Sequence, residues 1–444
     1  MIELYHSQRA MRAMRSAALH RGVIAILDVG TSKIGCLVLK FDGTAEKIDG
    51  DGVGSLAGQS GFQVIGSALT KSRGLEYGEI VSMPETERAI RTALQSAQKL
   101  ANARVDHVIA CISGGSPRSY GLDGSIDIKS EIVDDKDIAD VLGSCDIPSF
   151  EPDREVLHAQ PVNFSLDQRT GLSDPRGQIG KNLSVDMHML TVKEKTIQDL
   201  AYCIKRCDLE LAGIASSSYV AALSALVEDE KELGAACIDL GGGSSNISIF
   251  WKKHMIFAET IKMGGELVTR DISMGLQVSL SNAERIKTRN GGVIATGLDD
   301  REMIEITSET NDWELDRRII SRSDLIGIMR PRIEEILEEV RCSLDSAGFE
   351  DLPSQKIVLT GGASQIPGID SLAGKILGQQ VRLGRPMRIH RLPQAYSGPN
   401  CAGLVGLSLF AAHPQDEWWD FSPRSKNFNG QSVSRVFRWF KDNW

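Results

Sequence analysis

No stretch of this 444-residue sequence reaches the run of about 18 apolar residues that a membrane-crossing helix needs, so any membrane contact is expected to be peripheral. Residues 1–21 carry Arg9, Arg12, Arg15 and Arg21 and lack the continuous apolar core of a secretory signal, so export is not indicated. Positive charge is not in excess: the net charge is −9, with both signs mixed along most of the chain, which argues against nucleic acid as a partner. The eight cysteines lie far apart. Their single close pair, Cys203 and Cys207, has no second pair to complete a zinc site, so they read as reduced thiols.

What is present is a globular chain of more than one lobe. A content of 41% hydrophobic and 25% charged residues suits a packed core, and the length exceeds the roughly 100–200 residues of an ordinary domain. Residues 1–22 read as a mobile basic tail, with a weak amphipathic helix through Met11, Met14 and Ala18 as the alternative. From residue 23 an apolar run ends at Asp28, turns at Gly30-Thr31-Ser32-Lys33 and continues as a second run, which predicts a β-hairpin. A helix is expected over 84–100 through Ile90, Leu94 and Ala97. Residues 104–186 then read strand, loop, helix, strand, closed by a polar turn-rich stretch, and predict a small α/β insertion. A strand over 187–192 and a helix over 195–206 follow.

The opening pattern then repeats. Ile26-Leu27-Asp28-Val29-Gly30-Thr31-Ser32 and Ile238-Asp239-Leu240-Gly241-Gly242-Gly243-Ser244 are two versions of one turn, about half a chain apart. A nucleoside triphosphate crowds several negative charges together, and backbone N–H donors plus a hydrated divalent cation compensate them at little cost. Gly30 permits the first turn, Thr31 and Ser32 supply hydroxyl and amide donors, and Lys33 brings a compact positive charge. Gly241, Gly242, Gly243 and Ser244 do the same from the other side. Asp28 and Asp239, each at a strand end, are placed to hold Mg2+ through its water shell. Either turn alone is more often a plain hairpin. The pair, followed by Thr360-Gly361-Gly362-Ala363-Ser364 opening a helix, points to ATP, with the third glycine pair under the adenosine.

After residue 412 the composition shifts to prolines, acids and asparagines, which predicts a flexible linker over 414–431. Residues 432–444 differ again. As a helix they place Val433, Val436, Phe437, Phe440 and Trp444 on one face and Arg435, Arg438, Lys441 and Asp442 on the other, with Trp439 at the border. Thirteen residues span about 20 Å of helix, too short to cross a bilayer, so the aromatic face is expected to lie among anionic lipid headgroups. A helix docked on the chain's own core, or on a partner, is the alternative.

The loops are similar to those of the actin, Hsp70 and sugar-kinase superfamily. That resemblance implies an α/β, actin-like two-lobed fold, a duplicated ribonuclease H-like core with nucleotide in the interlobe cleft. It also makes Ala283-Glu284-Arg285-Ile286-Lys287 look like the family helix that brings Glu284 to the ribose and Lys287 to the base, and Gly264-Gly265 like the turn near the ribose and phosphates. An exposed charge pair three residues apart is the plain reading of Glu284 and Lys287. Within the superfamily the chain most resembles the FtsA family of bacterial cell division proteins. The resemblance rests on Val156-Leu157-His158, Arg206-Cys207-Asp208-Leu209, the 283–287 stretch and Ile357-Val358-Leu359-Thr360-Gly361-Gly362-Ala363, and it runs from about residue 23 to 412 and returns at the tail.

By that resemblance subdomain 1A comprises 23–103, 187–212 and 391–413, the 1C insertion 104–186, subdomain 2A 213–256 and 324–390, and subdomain 2B 257–323. The implied role is to polymerise into protofilaments, receive the FtsZ C-terminal peptide on 2B, tether the FtsZ ring to the cytoplasmic face of the inner membrane and help recruit later division proteins. ATP is then a structural ligand, turned over slowly at most. Three rivals stand beside this reading. A small-molecule kinase needs a carboxylate base, and no motif identifies one among the 59 acids. An Hsp70-like chaperone needs a substrate-binding region after the ATPase core. The pilus protein PilM is nearer but would not be expected to carry the cationic tail.

Overall fold

The structure, a computed structural model, describes residues 8–20, 22–41, 61–146, 151, 153–309 and 315–412. Helix α1 (Gln8–His20) leads into the hairpin β1 (Val23–Val29) and β2 (Lys33–Phe41), and β3 (Phe62–Lys71) pairs beside β2. Two short strands, β4 (Leu75–Glu76) and β5 (Glu79–Ile80), precede α2 (Met83–Ala101) and β6 (His107–Ile112). Next come β7 (Arg118–Asp127), α3 (Asp135–Ser144), β8 (Arg154–Leu166), β9 (Arg169–Leu172) and β10 (Asn182–Lys193). Helix α4 (Glu194–Arg206) and β11 (Glu210–Ser216) return to the first lobe.

The second lobe follows α5 (Ser217–Ala225) and α6 (Glu228–Leu233), with β12 (Ala235–Leu240), β13 (Ser245–Trp251) and β14 (His254–Ile261). Then come α7 (Gly265–Leu276), α8 (Leu280–Asn290), the hairpin β15 (Met303–Glu309) and β16 (Leu315–Ser321), α9 (Arg322–Ser346), β17 (Lys356–Thr360), α10 (Ile369–Leu377), β18 (Val381–Leu383) and α11 (Ala402–Ala412).

The repeated turn is the visible trace of a repeated sheet. The first sheet runs β3-β2-β1-β6-β11 and the second β14-β13-β12-β17-β18, each an antiparallel meander extended by two parallel strands. In both, the turn closes with the same hydrogen bond, Gly30 N donating to Lys33 O at 3.1 Å and Gly241 N to Ser244 O at 2.9 Å. Each lobe has its own core, the first around Ile26, Leu37 and Ile109, the second around Ile238, Val268 and Leu337.

Two helices join the lobes. α11 reads AGLVGLSLFAA, apolar on all sides, and a helix with no polar face can only be interior. It crosses α5 so closely that a Cβ at Gly406 would lie 1.6 Å from Val220 O. Ser224 Oγ donates to Ala402 O at 2.8 Å across the same crossing.

Several expected boundaries move. β6 lies inside the first sheet, next to β1, so the strand over 105–112 is not part of the insertion. The insertion is the four-stranded sheet β7-β10-β8-β9 with α3 packed on it, and β10 runs on to Lys193 rather than ending at 186. The expected breaks at 213 and 257 cut β11 and β14, which belong whole to the first and second sheets. The Gly361-Gly362 turn opens a 3-10 turn (Ala363–Gln365), and the α-helix starts only at Ile369, because Pro367 and Gly368 intervene.

The N-terminal expectation is also corrected. Residues 8–20 are helical, and the alternative through Met11, Met14 and Ala18 is the one realised: Met11 and Ala18 are buried and Met14 packs against the first core. The helix lies on β11 and β1. Arg15 turns inward, its guanidinium donating to Ala411 O at 2.8 Å and to Phe410 O, and sitting 5.1 Å from the Phe410 ring centre. These are the last carbonyls of α11, which have no partner within their own helix. The linker and tail expected over 414–444 lie outside the described residues.

Candidate nucleotide cleft

The two aspartate-glycine turns face each other at the mouth between the lobes. One cavity is lined by Asp28, Gly30, Thr31, Ser32 and Lys33 from the first lobe and by Asp239, Gly241, Gly242, Gly243 and Ser244 from the second, with Gly361 and Gly362 beside them. The turns are nearly in contact. A Cβ on Gly242 would stand 2.9 Å from Ser32 Cβ, and one on Gly243 would stand 2.6 Å from Thr31 Oγ1. Thr31 Oγ1 also accepts a hydrogen bond from Gly78 N at 3.0 Å, which holds the first loop against the β4–β5 turn.

Asp28 and Asp239 are half-buried and line the cavity beneath the loops. Burial raises the Asp28 carboxyl, opposed by the Cys111 thiol, which donates to it at 3.1 Å, and by the Lys33 charge. Burial pushes Asp239 up to about 6, and the neighbouring Asp28 charge adds to the shift while Asn246 opposes it. Two adjoining carboxylates whose proton affinities are both raised form a site short of positive charge. That donor set suits a divalent cation; the Cys111 thiol beside Asp28 stays protonated, and among the described residues no three carboxylate, histidine or cysteine side chains are arranged to ligate a metal together. A cation there would keep most of its water, as Mg2+ prefers. Lys33 Nζ donates to Asn400 O, which anchors the lysine at the side of the cleft.

The third glycine pair works differently from the other two. Gly361 has φ +89°, and a Cβ there would lie 2.3 Å from Asp239 Oδ1, so this glycine lets the chain turn against that carboxylate. Gly265 closes the set: its N–H donates to Gly241 O at 2.9 Å, and a Cβ on it would meet Ala363 Cβ at 3.2 Å and Lys287 Nζ at 3.7 Å.

Glu284 and Lys287 do pair, at 2.6 Å. The pair is not a plain surface contact, because the Lys287 side chain is only 11% exposed and donates also to Gly265 O at 3.0 Å and Thr269 Oγ1 at 2.8 Å. Glu284 keeps half its surface open and accepts from Thr269 at 2.6 Å. The structure therefore brings Gly265, Ala363, Glu284 and Lys287 into one cluster next to the Gly241-Gly242-Gly243 turn.

Several residues in and beside the cavity escaped the reading of the sequence: Ser113, Ser217, Asn246, Pro399, Asn400 and Gly403 line it, and Glu266 stands next to the Gly242 turn. Asn246 stands directly opposite Asp239 across the hairpin and holds its carboxylate. Its place, seven residues after the aspartate in a hairpin of known turn, was available from strand pairing. Asn400 follows Gly398-Pro399, a turn signal at the head of α11. Gly403 brings α11 against Asp28, where a Cβ would lie 3.4 Å from Oδ2. Glu266 reaches toward Gly242, its N–H donating to Gly242 O at 2.8 Å, and burial raises its carboxyl. Nothing local marks the last two, since only the meeting of distant segments gives them their place. Of the tail residues Val433, Arg435, Val436, Phe437, Arg438, Trp439, Phe440, Lys441 and Trp444, none falls among those described.

Comparison with known proteins bears on the fold and the family. Residues 236–406 match the family model of cell division protein FtsA, and residues 114–191, the four-stranded insertion, match the model of the SHS2 domain inserted in FtsA. Among solved structures the chain is similar to the PilM-PilN type IV pilus biogenesis complex, with TM-score 0.59 and 15% identity over 88% of this chain and 99% of that one. It is also similar to MreB5 of Spiroplasma citri bound to ADP, with TM-score 0.51 and 15% identity over 87% and 95%. At those identities the likeness speaks for the actin-like fold alone. Cell division protein FtsA of Rhizobium meliloti is 35% identical over 389 residues, 87% of each chain. A relative sharing more than a third of its residues across most of both chains settles the matter: this chain belongs to the FtsA family of cell division proteins.

Proposed function

We propose that this chain binds ATP with Mg2+ between its lobes, assembles with copies of itself, and ties the FtsZ ring to the cytoplasmic face of the bacterial inner membrane. The observation that carries the reading is the approach of Gly242 to Ser32 and of Gly243 to Thr31, which leaves backbone donors of both lobes facing one small space. Loops this close can share one phosphate chain, and the carboxylates of Asp28 and Asp239 below them supply a place for a hydrated cation. A ligand held by both lobes favours the lobe angle at which both can reach it, so ATP acts by selecting a shape suited to assembly.

No helix among the described residues is long and apolar enough to cross a membrane, which leaves residues 432–444 as the lipid-binding segment in this reading. The FtsZ C-terminal peptide is assigned to the subdomain of α7, α8, β15 and β16. Met274, Leu280, Leu298, Met303 and Ile319 are exposed there, apolar side chains that a peptide can cover. Later division proteins are the remaining partners of this scheme.

Sedimentation with anionic vesicles and FtsZ, with and without ATP, tests the whole reading. FtsZ is expected to pellet with the vesicles only through this chain, and truncation after Gly430 is expected to abolish the effect. Unchanged sedimentation by the truncated chain removes the membrane role, and calorimetry with no adenine nucleotide bound at millimolar concentration removes the nucleotide role.

A further inference from the structure

β7 is an edge strand of the insertion's sheet and β14 an edge strand of the second lobe's sheet. Edge strands carry backbone groups without a ladder partner, and these two edges meet. They are not zipped together by their backbones. Among the described residues a buried hydroxyl bridges them: Ser119 on β7 accepts from Ala258 N at 2.8 Å and lies 3.3 Å from Ala258 O, while His188 Nε2 on β10 stands 3.0 Å from the same hydroxyl, and Val162 on β8 packs into the second core.

A hydroxyl has one proton to give and two lone pairs to fill. All three contacts are met at once in one arrangement only: His188 Nε2–H and Ala258 N–H donate to Ser119 Oγ, and Ser119 O–H donates to Ala258 O. His188 is then neutral, with Nδ1 bare. That nitrogen is buried and without a partner, consistent with the tautomer. Ser119, His188 and Ala258 are all within 8% of complete burial, so water does not compete for these bonds.

β14 also leads to the cleft. Two residues beyond its end, Met263 O accepts from Ser245 Oγ at 2.8 Å, and Gly265 N and Glu266 N donate to Gly241 O and Gly242 O of the second phosphate loop. The loop and the segment that follows the Ala258 strand are thus tied by three hydrogen bonds.

We propose that Ser119, oriented by His188, is a latch through which the state of the nucleotide cleft sets the position of the insertion. The latch rests on the reading of the cleft as an ATP site. When the phosphate loop is drawn toward ligand, β14 follows and the insertion moves with it. With the hydroxyl removed, the second lobe moves alone.

Hydrogen exchange of the full chain, with and without Mg-ATP, combined with calorimetry, tests this. In the natural chain Mg-ATP is expected to slow exchange in β7 and β10 by about threefold or more. Ser119→Ala is expected to abolish that response while the ATP Kd stays within about twofold, and Ser119→Thr, which keeps the hydroxyl, to retain it. Should Ser119→Ala not fold by circular dichroism, His188→Gln, which keeps an N–H donor, is compared with His188→Leu, which does not. A retained response in Ser119→Ala or His188→Leu overturns the latch, as does ATP binding by the natural chain without any response in the insertion. Absence of ATP binding by the natural chain overturns the nucleotide reading itself, and the latch falls with it.

Discussion

Burial and the nearby His158 hold the proton affinity of the His188 imidazole down to about 3, whereas in the unfolded chain it is that of free histidine. The unfolded state therefore takes up the proton first. Stability from this residue is complete above pH ~6.5 and is lost as pH falls, at about 1.4 kcal/mol per unit, or about 2 kcal/mol by pH 5. The urea midpoint is expected to drop between pH 7 and pH 5, and to drop less in His188→Gln. An equal drop in both proteins places the acid sensitivity elsewhere. Nothing in the residues around 188 announces this, because a histidine in an alternating strand reads the same whether it meets solvent or a second sheet. The glycines of the cleft were legible for the opposite reason: runs such as Gly241-Gly242-Gly243 after a strand and an aspartate have few other uses. Even so, Gly361 is required for a contact with Asp239 that only the fold reveals.

At the scale of elements, α1 shows how composition misleads. Four arginines in 21 residues read as a solvated tail, yet the spacing of Met11, Met14 and Ala18 carried the helix, and Arg15 serves α11. Hydrogen bonds from a charged donor contribute about 1.5–3 kcal/mol, so Arg15→Ala is expected to lower stability by roughly that amount and to speed amide exchange at the end of α11. Arg15→Ala with unchanged melting and unchanged exchange at 410–412 shows that α1 merely rests on the sheet. The boundaries of the insertion were hidden by a related effect. β6 is a buried parallel strand and β7 an edge strand, and pairing partners distant in sequence, β1 for β6 and β10 for β7, decide to which sheet each belongs.

For the molecule as a whole, the duplicated sheet was readable because its turn is written twice. The angle between the lobes was not, since it depends on how α5 and α11 cross and on loops that meet only in three dimensions. Those loops make Gly242→Asp a test of the entire arrangement. A side chain there is wedged against Ser32 and adds a negative charge where phosphate is expected. The variant is expected to lose ATP binding at millimolar nucleotide and to lose assembly, while each lobe keeps its core and its circular dichroism spectrum. Normal assembly by Gly242→Asp separates polymer formation from the nucleotide.

Arg15 touching Phe410 and Ala411 brings the opening helix against the close of the last one. Pulling the two helices apart would break that contact, so a pair of cysteines placed across it, one on α1 and one on α11, is a lever for fixing or freeing the start of the chain against the first lobe.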